Sequence, residues 1–149
     1  MITQLLLSST ISCLISLNSP VDYHFQQIIC EHRKISHQIN HVVAWQPYVE
    51  EYFKPEDRVQ ALRIIFCESS GRPNVIGNNT NGTQDVGGWQ FNDKTWAWLK
   101  GKLKFEGDRT EMLLSTRIAS WLVYNDGWHH WNSSRHCWET DVRIFRWAY

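Results

Sequence analysis

The chain carries no excess of charge of either sign. Fifteen Lys and Arg stand against fifteen Asp and Glu in 149 residues, a formal net charge of zero. Strong nucleic-acid binders carry a large positive balance, so no nucleic-acid partner is expected. Apolar runs of bilayer-spanning length are also missing. The longest, Leu5 to Leu17, is broken by Ser8, Ser9, Thr10, Ser12 and Cys13, whereas a spanning helix needs about 20 apolar residues. Internal repeats and low-complexity linkers are absent as well, which argues against solenoids and tethered modules. What remains is ordinary for one globular domain: 42% hydrophobic and 20% charged residues, too apolar for a mostly disordered chain.

The apolar run at the N-terminus has the length of a signal-peptide core. It lacks the usual flanks, because Met1-Ile2-Thr3-Gln4 carries no positive charge and no clean small-x-small cleavage site follows. The alternative is a buried N-terminal helix. Residues 1–18 are read as a leader for export, and 19–44 as a separate amphipathic helix. Ser19 can cap it, Pro20 suits its first position, and Phe25, Ile28, Ile29, Ile35, Ile39 and Val42 line one face.

Residues 45–149 read as a mainly helical domain with one small hairpin, the α+β class. A helix is expected from about Pro55 to Cys67, with Val59, Leu62, Ile65 and Phe66 on its apolar face. Gly71 and Pro73 would end it. Asn81-Gly82 is a strong hairpin-turn pair, flanked by strands near Val75-Ile76 and from Val86 to Phe91. Asp93 would start a short helix carrying Trp96 and Leu99 and stopping at Gly101. Asp108 and Glu111 would cap a last long helix, about 109–125, carrying Leu113, Ile118, Trp121 and Leu122.

Nine Trp in a neutral chain of this size are unusual, and suit ring stacking on sugars as well as core packing. Glu68 is the residue of chemical interest. It follows Ile64-Ile65-Phe66-Cys67 at the C-terminal end of an apolar helix, where desolvation and the helix dipole both favour a protonated carboxyl. A glutamate of that kind is what a general acid near neutral pH requires. A solvated surface glutamate at a helix end is the commoner case.

The surrounding residues favour the first reading. Glu68-Ser69-Ser70-Gly71-Arg72-Pro73-Asn74, with Asp85-Val86-Gly87-Gly88-Trp89-Gln90-Phe91-Asn92 after it, resembles the lysozyme-like domain of soluble lytic transglycosylases and goose-type lysozymes. Trp45-x-Pro47-x-Val49-x-x-Tyr52-Phe53 and Trp121-Leu122-Val123-Tyr124-Asn125-Asp126-Gly127-Trp128 are similar to segments of its extracellular bacterial and phage members. The resemblance covers about Trp45 to Trp138. It implies a lysozyme-like helical fold with the hairpin beside the active-site helix, and Glu68 as catalytic acid/base. It further implies Ser69 at the cleft wall, Gln90 on sugar substituents, and Tyr124 holding the catalytic carboxyl. Trp89 stands where the family carries a smaller aliphatic residue or phenylalanine, and is either a sugar platform or a core plug. Asp85 is a candidate second carboxylate. Ordering of the hairpin turn is the preferred role for it.

The resemblance also pairs Cys67 with Cys137, since extracellular relatives carry cysteines there. Cys13 would leave with the leader and Cys30 would stay unpaired. His129, His130 and His136 adjoin Cys137, but their spacing matches no zinc pattern, so neither metal nor cofactor is expected. The function implied is cleavage of the β-1,4 bond between N-acetylmuramic acid and N-acetylglucosamine by a secreted or phage-encoded monomer acting on peptidoglycan. The alternatives are a non-catalytic sugar-binding module and a virion or cell-wall structural component.

Overall fold

The computed structural model describes residues 37–139, which, His37 aside, belong to one compact unit, Gln38–Tyr149. The expected leader, most of the 19–44 helix, and Cys13 and Cys30 lie outside the described residues. Helical residues 37–43 (α1) lead into α2 (Gln46–Tyr52). A 3-10 turn, Pro55–Asp57, opens α3 (Arg58–Ser69). A three-stranded sheet follows: β1 (Ile76–Asn78), β2 (Gln84–Val86) and β3 (Phe91–Asn92). Then come α4 (Asp93–Leu103), α5 (Met112–Asp126), a 3-10 turn Trp128–Ser134, and the short α6 (Arg135–Trp138). The fold is α+β and mainly helical. Among the described residues no helix is long and apolar enough to cross a membrane.

α3 forms where a helix was expected, but its buried face is Ala61, Leu62, Ile64 and Ile65, with the expected Val59 and Phe66 only half-buried. It stops because Ser70 turns left-handed at φ 55° and Gly71 follows at φ 78°. Gly71 is required there. A Cβ on it would lie 2.5 Å from the Val42 backbone nitrogen. The Gly71 carbonyl accepts the Trp45 indole N–H at 2.8 Å, and the same indole lies over Gly88, where a Cβ would come within 2.1 Å of the ring. One buried tryptophan thus ties the end of α3 to the turn between β2 and β3.

The sheet departs from a single hairpin. Its order is β1-β2-β3, all antiparallel, with Gly77 opposite Asp85 and Asp85 opposite Asn92. The run expected as one strand, 86–91, breaks because Gly87 (φ 91°) and Gln90 (φ 51°) adopt left-handed backbone and the Gln90 N–H closes a turn on the Gly87 carbonyl. Arg109 clamps the result. Its guanidinium donates to the carbonyls of Gln84 and Phe91 and pairs with Asp93 at 2.7 Å.

Two helix boundaries also move. α4 continues past Gly101, where the backbone has open space around it, to a left-handed Lys104. α5 begins at Met112, not 109. Asp108 accepts from the Thr110 N–H and Glu111 accepts from the Asp108 N–H at 2.6 Å, so the expected cap pair orders the turn before the helix. The buried face of α5 is Leu114, Ile118 and Leu122, while Leu113 is exposed. Leu113 stands five residues before Ile118, about 140° round a helix of 3.6 residues per turn.

The core is aromatic. Phe53 stacks between Trp89 and Trp128 at 5.7 and 5.8 Å, and Trp89 meets Trp131 at 5.3 Å. The series continues through Phe91, Trp96 and Phe105. Among the described residues five tryptophans, 45, 89, 96, 131 and 138, are buried. Their indole N–H groups are satisfied where the packing is tightest: Trp89 on Thr116, Trp131 on the Trp89 carbonyl, and Trp138 on the Trp131 carbonyl.

Candidate active site

An open cleft is lined by Glu68 from α3, Asp85 and Asn92 from the sheet, Gln90 from the turn between β2 and β3, Thr95 from α4, and His130 from the second 3-10 turn. Glu68 from the helix shares this one cleft with Asp85 and Gln90 from the sheet region.

Glu68 is the penultimate residue of α3 and half-buried. Burial pushes its carboxyl above the ordinary glutamate range, and the neighbouring Asp85 charge adds to that. A hydrogen bond from Ser134 opposes the shift. The Ser134 hydroxyl donates to Glu68 Oε1 at 2.5 Å, reaching it from the end of the second 3-10 turn. The turn is held against α3 by a disulfide between Cys67 and Cys137, whose Cα atoms are 6.0 Å apart. The cysteine pairing implied by resemblance is therefore present.

Asp85 is a strand residue in the middle of the sheet, not a turn cap. Both of its oxygens are occupied. Oδ2 accepts from the Asn79 amide at 3.0 Å and Oδ1 from the Asn92 amide at 2.7 Å. Thr83 Oγ1 accepts from the same two amides and donates to Asn81. These bonds orient a carboxylate on the cleft floor.

Gln90 folds its side chain back over the sheet. Its amide N–H₂ donates to the carbonyls of Val75 and Gly87, and its Oε1 lies over Gly77, 3.1 Å from where a Cβ would stand. A side chain at Gly77, opposite Asp85, would press on this amide oxygen.

Trp89 takes one of its two readings, and Ser69 and Tyr124 sit otherwise than the resemblance implies. Trp89 is wholly buried between Phe53 and Trp131, so no ring face is left for a sugar, and it is the core plug. Ser69 is buried, and its hydroxyl donates to the Ile65 carbonyl of its own helix. Tyr124 is exposed. Its hydroxyl accepts from the Lys54 N–H and donates to Asp57, each at 2.8 Å, fastening the start of α3 to the end of α5. The hydroxyl on the Glu68 carboxyl belongs to Ser134 instead.

Ser134 and the cradle of Asn79 and Asn92 were missed from the sequence. The disulfide gave one signal for Ser134, since a bond from Cys67 to Cys137 must bring residues just before Cys137 close to Glu68. Nothing local in the sequence points Asn79 or Asn92 toward Asp85; the strand pairing and the turn after β1 bring them there.

Chemically the cleft offers a carboxyl that holds its proton to higher pH than usual, a second carboxylate fixed by amide donors, and a carboxamide at its edge. No family model, no curated protein and no solved structure matches the chain.

Proposed function

We propose that the protein is a peptidoglycan-cleaving glycosidase with Glu68 as general acid/base. The observation that carries this reading is the half-buried Glu68 carboxyl, held protonated above the ordinary range, in the same cleft as Asp85 and Gln90. The choice of amino-sugar polymer rests on the resemblance of the segments around Glu68, Gln90 and Trp121 to lytic transglycosylases and goose-type lysozymes.

In this reading a glycan strand lies across the cleft and Glu68 protonates the glycosidic oxygen as the bond breaks. The resulting carboxylate, stabilised by the Ser134 hydroxyl, then takes a proton from the incoming nucleophile. That nucleophile is water, or the sugar's own C6 hydroxyl in an anhydro-forming reaction. Asp85 faces the same space as a fixed carboxylate, able to stabilise developing positive charge or orient a water. The disulfide supports an oxidising, extracytoplasmic location. The protein acts as a monomer.

The test is direct. Purified peptidoglycan incubated with the protein should yield soluble muropeptides whose mass distinguishes hydrolysed from anhydro ends, and Glu68→Gln should abolish them. Intact peptidoglycan after treatment with folded wild-type protein would refute the reading.

A further inference from the structure

We propose that Asp126, His129 and His130 form a binding site for a zinc-like divalent ion at the lip of the cleft. The helix α5 ends at Asp126, and Gly127 reverses the chain with φ 94°, its N–H donating to the carbonyls of Leu122 and Val123. The 3-10 turn that follows brings His129 and His130 back over the Asp126 carboxylate. Asp126 Oδ2 lies 2.7 Å from His130 Nε2 and 3.6 Å from His129 Nε2. One ligand atom from each of the three residues falls within 4.8 Å of the others. The two imidazole rings lie side by side, 4.3 Å between centroids.

A tetrahedral ion with bonds of about 2.0–2.1 Å sets its ligand atoms roughly 3.4 Å apart. The two separations to Asp126 straddle that value and the third lies within 4.8 Å, so side-chain rotations of partly exposed groups close the set around an ion. Two imidazoles and one carboxylate suit zinc, nickel or copper, and are poorly matched to calcium or magnesium, which prefer all-oxygen sets. Three protein ligands leave a fourth position for water or a substrate group. The set differs from the histidine cluster conspicuous in the sequence. Cys137 is consumed by its disulfide, and Asp126, three and four residues before the histidines, supplies the third donor. His130 belongs to both the ion site and the cleft wall.

The experiment is calorimetric titration of the full, metal-stripped protein with zinc chloride, and separately with calcium chloride. One equivalent of zinc should bind with a micromolar dissociation constant, and calcium should not bind. His129→Ala and Asp126→Asn should each weaken zinc at least about tenfold, while His136→Ala should leave it unchanged. Cobalt substitution should give the visible absorption of a tetrahedral ion, lost in His129→Ala. No saturable zinc binding, or undiminished binding in a folded His129→Ala/His130→Ala protein, would overturn the proposal. These readouts involve no glycan, so their failure is separate from failure of the glycosidase reading.

Discussion

Ser134 Oγ donates a hydrogen bond to Glu68 Oε1 across 66 residues of sequence. The contact joins the end of α3 to a turn that the Cys67–Cys137 bond holds in place, so the carboxyl's environment depends on a cross-link one residue away. The first consequences concern Glu68 itself.

Glu68→Gln keeps shape and hydrogen bonding but has no proton to donate. Peptidoglycan release should fall at least about 100-fold, the low end for a positioned acid. Circular dichroism should show an unchanged fold. Near-normal release by folded Glu68→Gln protein would end the assignment.

The same substitution has a signed effect on stability. Burial raises the folded-state pKa of Glu68 above its ordinary value of 4.5. Such a group contributes stability that is full below the unfolded pKa and is lost as pH rises through the folded one. Glu68→Gln protein should therefore gain on the wild type as pH rises from acid to neutral. Melting temperatures that run parallel across that range would contradict the assigned shift.

Ser134 and Asp85 should move the alkaline limb of the activity profile in opposite directions. The Ser134 hydrogen bond favours the carboxylate, so Ser134→Ala should shift the limb to higher pH. It should also cost roughly tenfold in rate, on the scale of ~1.5 kcal/mol for a hydrogen bond to a charged group. Ser134→Thr should restore both. Asp85→Asn removes a like charge and should shift the limb lower, while one amide N–H of Asn79 or Asn92 loses its acceptor on residue 85 and keeps only the Thr83 bond. Shifts of the same sign in Ser134→Ala and Asp85→Asn would contradict this electrostatic arrangement.

Breaking the disulfide should cost about 2–5 kcal/mol. Cys67→Ser and Cys137→Ser should lower the melting temperature by similar amounts, and the double variant should be little worse than either. Ser134 then loses its tether, so activity of the folded fraction should decline as well. Additive losses would mean that the cysteines act separately.

Trp89→Phe separates a core role from a sugar platform. Loss of volume and of the Thr116 hydrogen bond should destabilise by ~1–3 kcal/mol. The concentration of peptidoglycan giving half-maximal rate should stay unchanged. A weakened substrate interaction with an unchanged melting temperature would reverse the assignment of this ring.

Local chemistry was legible where it acts within a few residues. The presence of α3, its stop at Ser70-Gly71, the turn around Asn81-Gly82 and the start of α4 at Asp93 all follow from period, cap and turn residues near one another in the chain. Glu68 was legible for the same reason, since a helix end and an apolar run define its surroundings. The α5 face was misjudged at Leu113 because a short apolar stretch, Met112-Leu113-Leu114, permits more than one phase, and packing selects Leu114.

Tertiary structure alone decided which side chains meet. Tyr124 and Ser134 are both hydroxyls near the C-terminal part of the chain. The turn at Gly127 and the disulfide deliver Ser134 to Glu68, while Tyr124 remains with Lys54 and Asp57. Trp89 could equally have faced sugar or core, and the stack on Phe53 decides it, because a wholly buried indole with its N–H satisfied gains more than an exposed one. Asp85 became a cleft carboxylate through strand register, which sets it between Gly77 and Asn92. The sequence by itself determined the longer helices, the hairpin turn and the chemical inventory, because propensities and caps are short-range. The pairing of Glu68 with Ser134 and the cradle around Asp85 needed the folded chain, because hydrogen bonds depend on distances that only long-range packing sets.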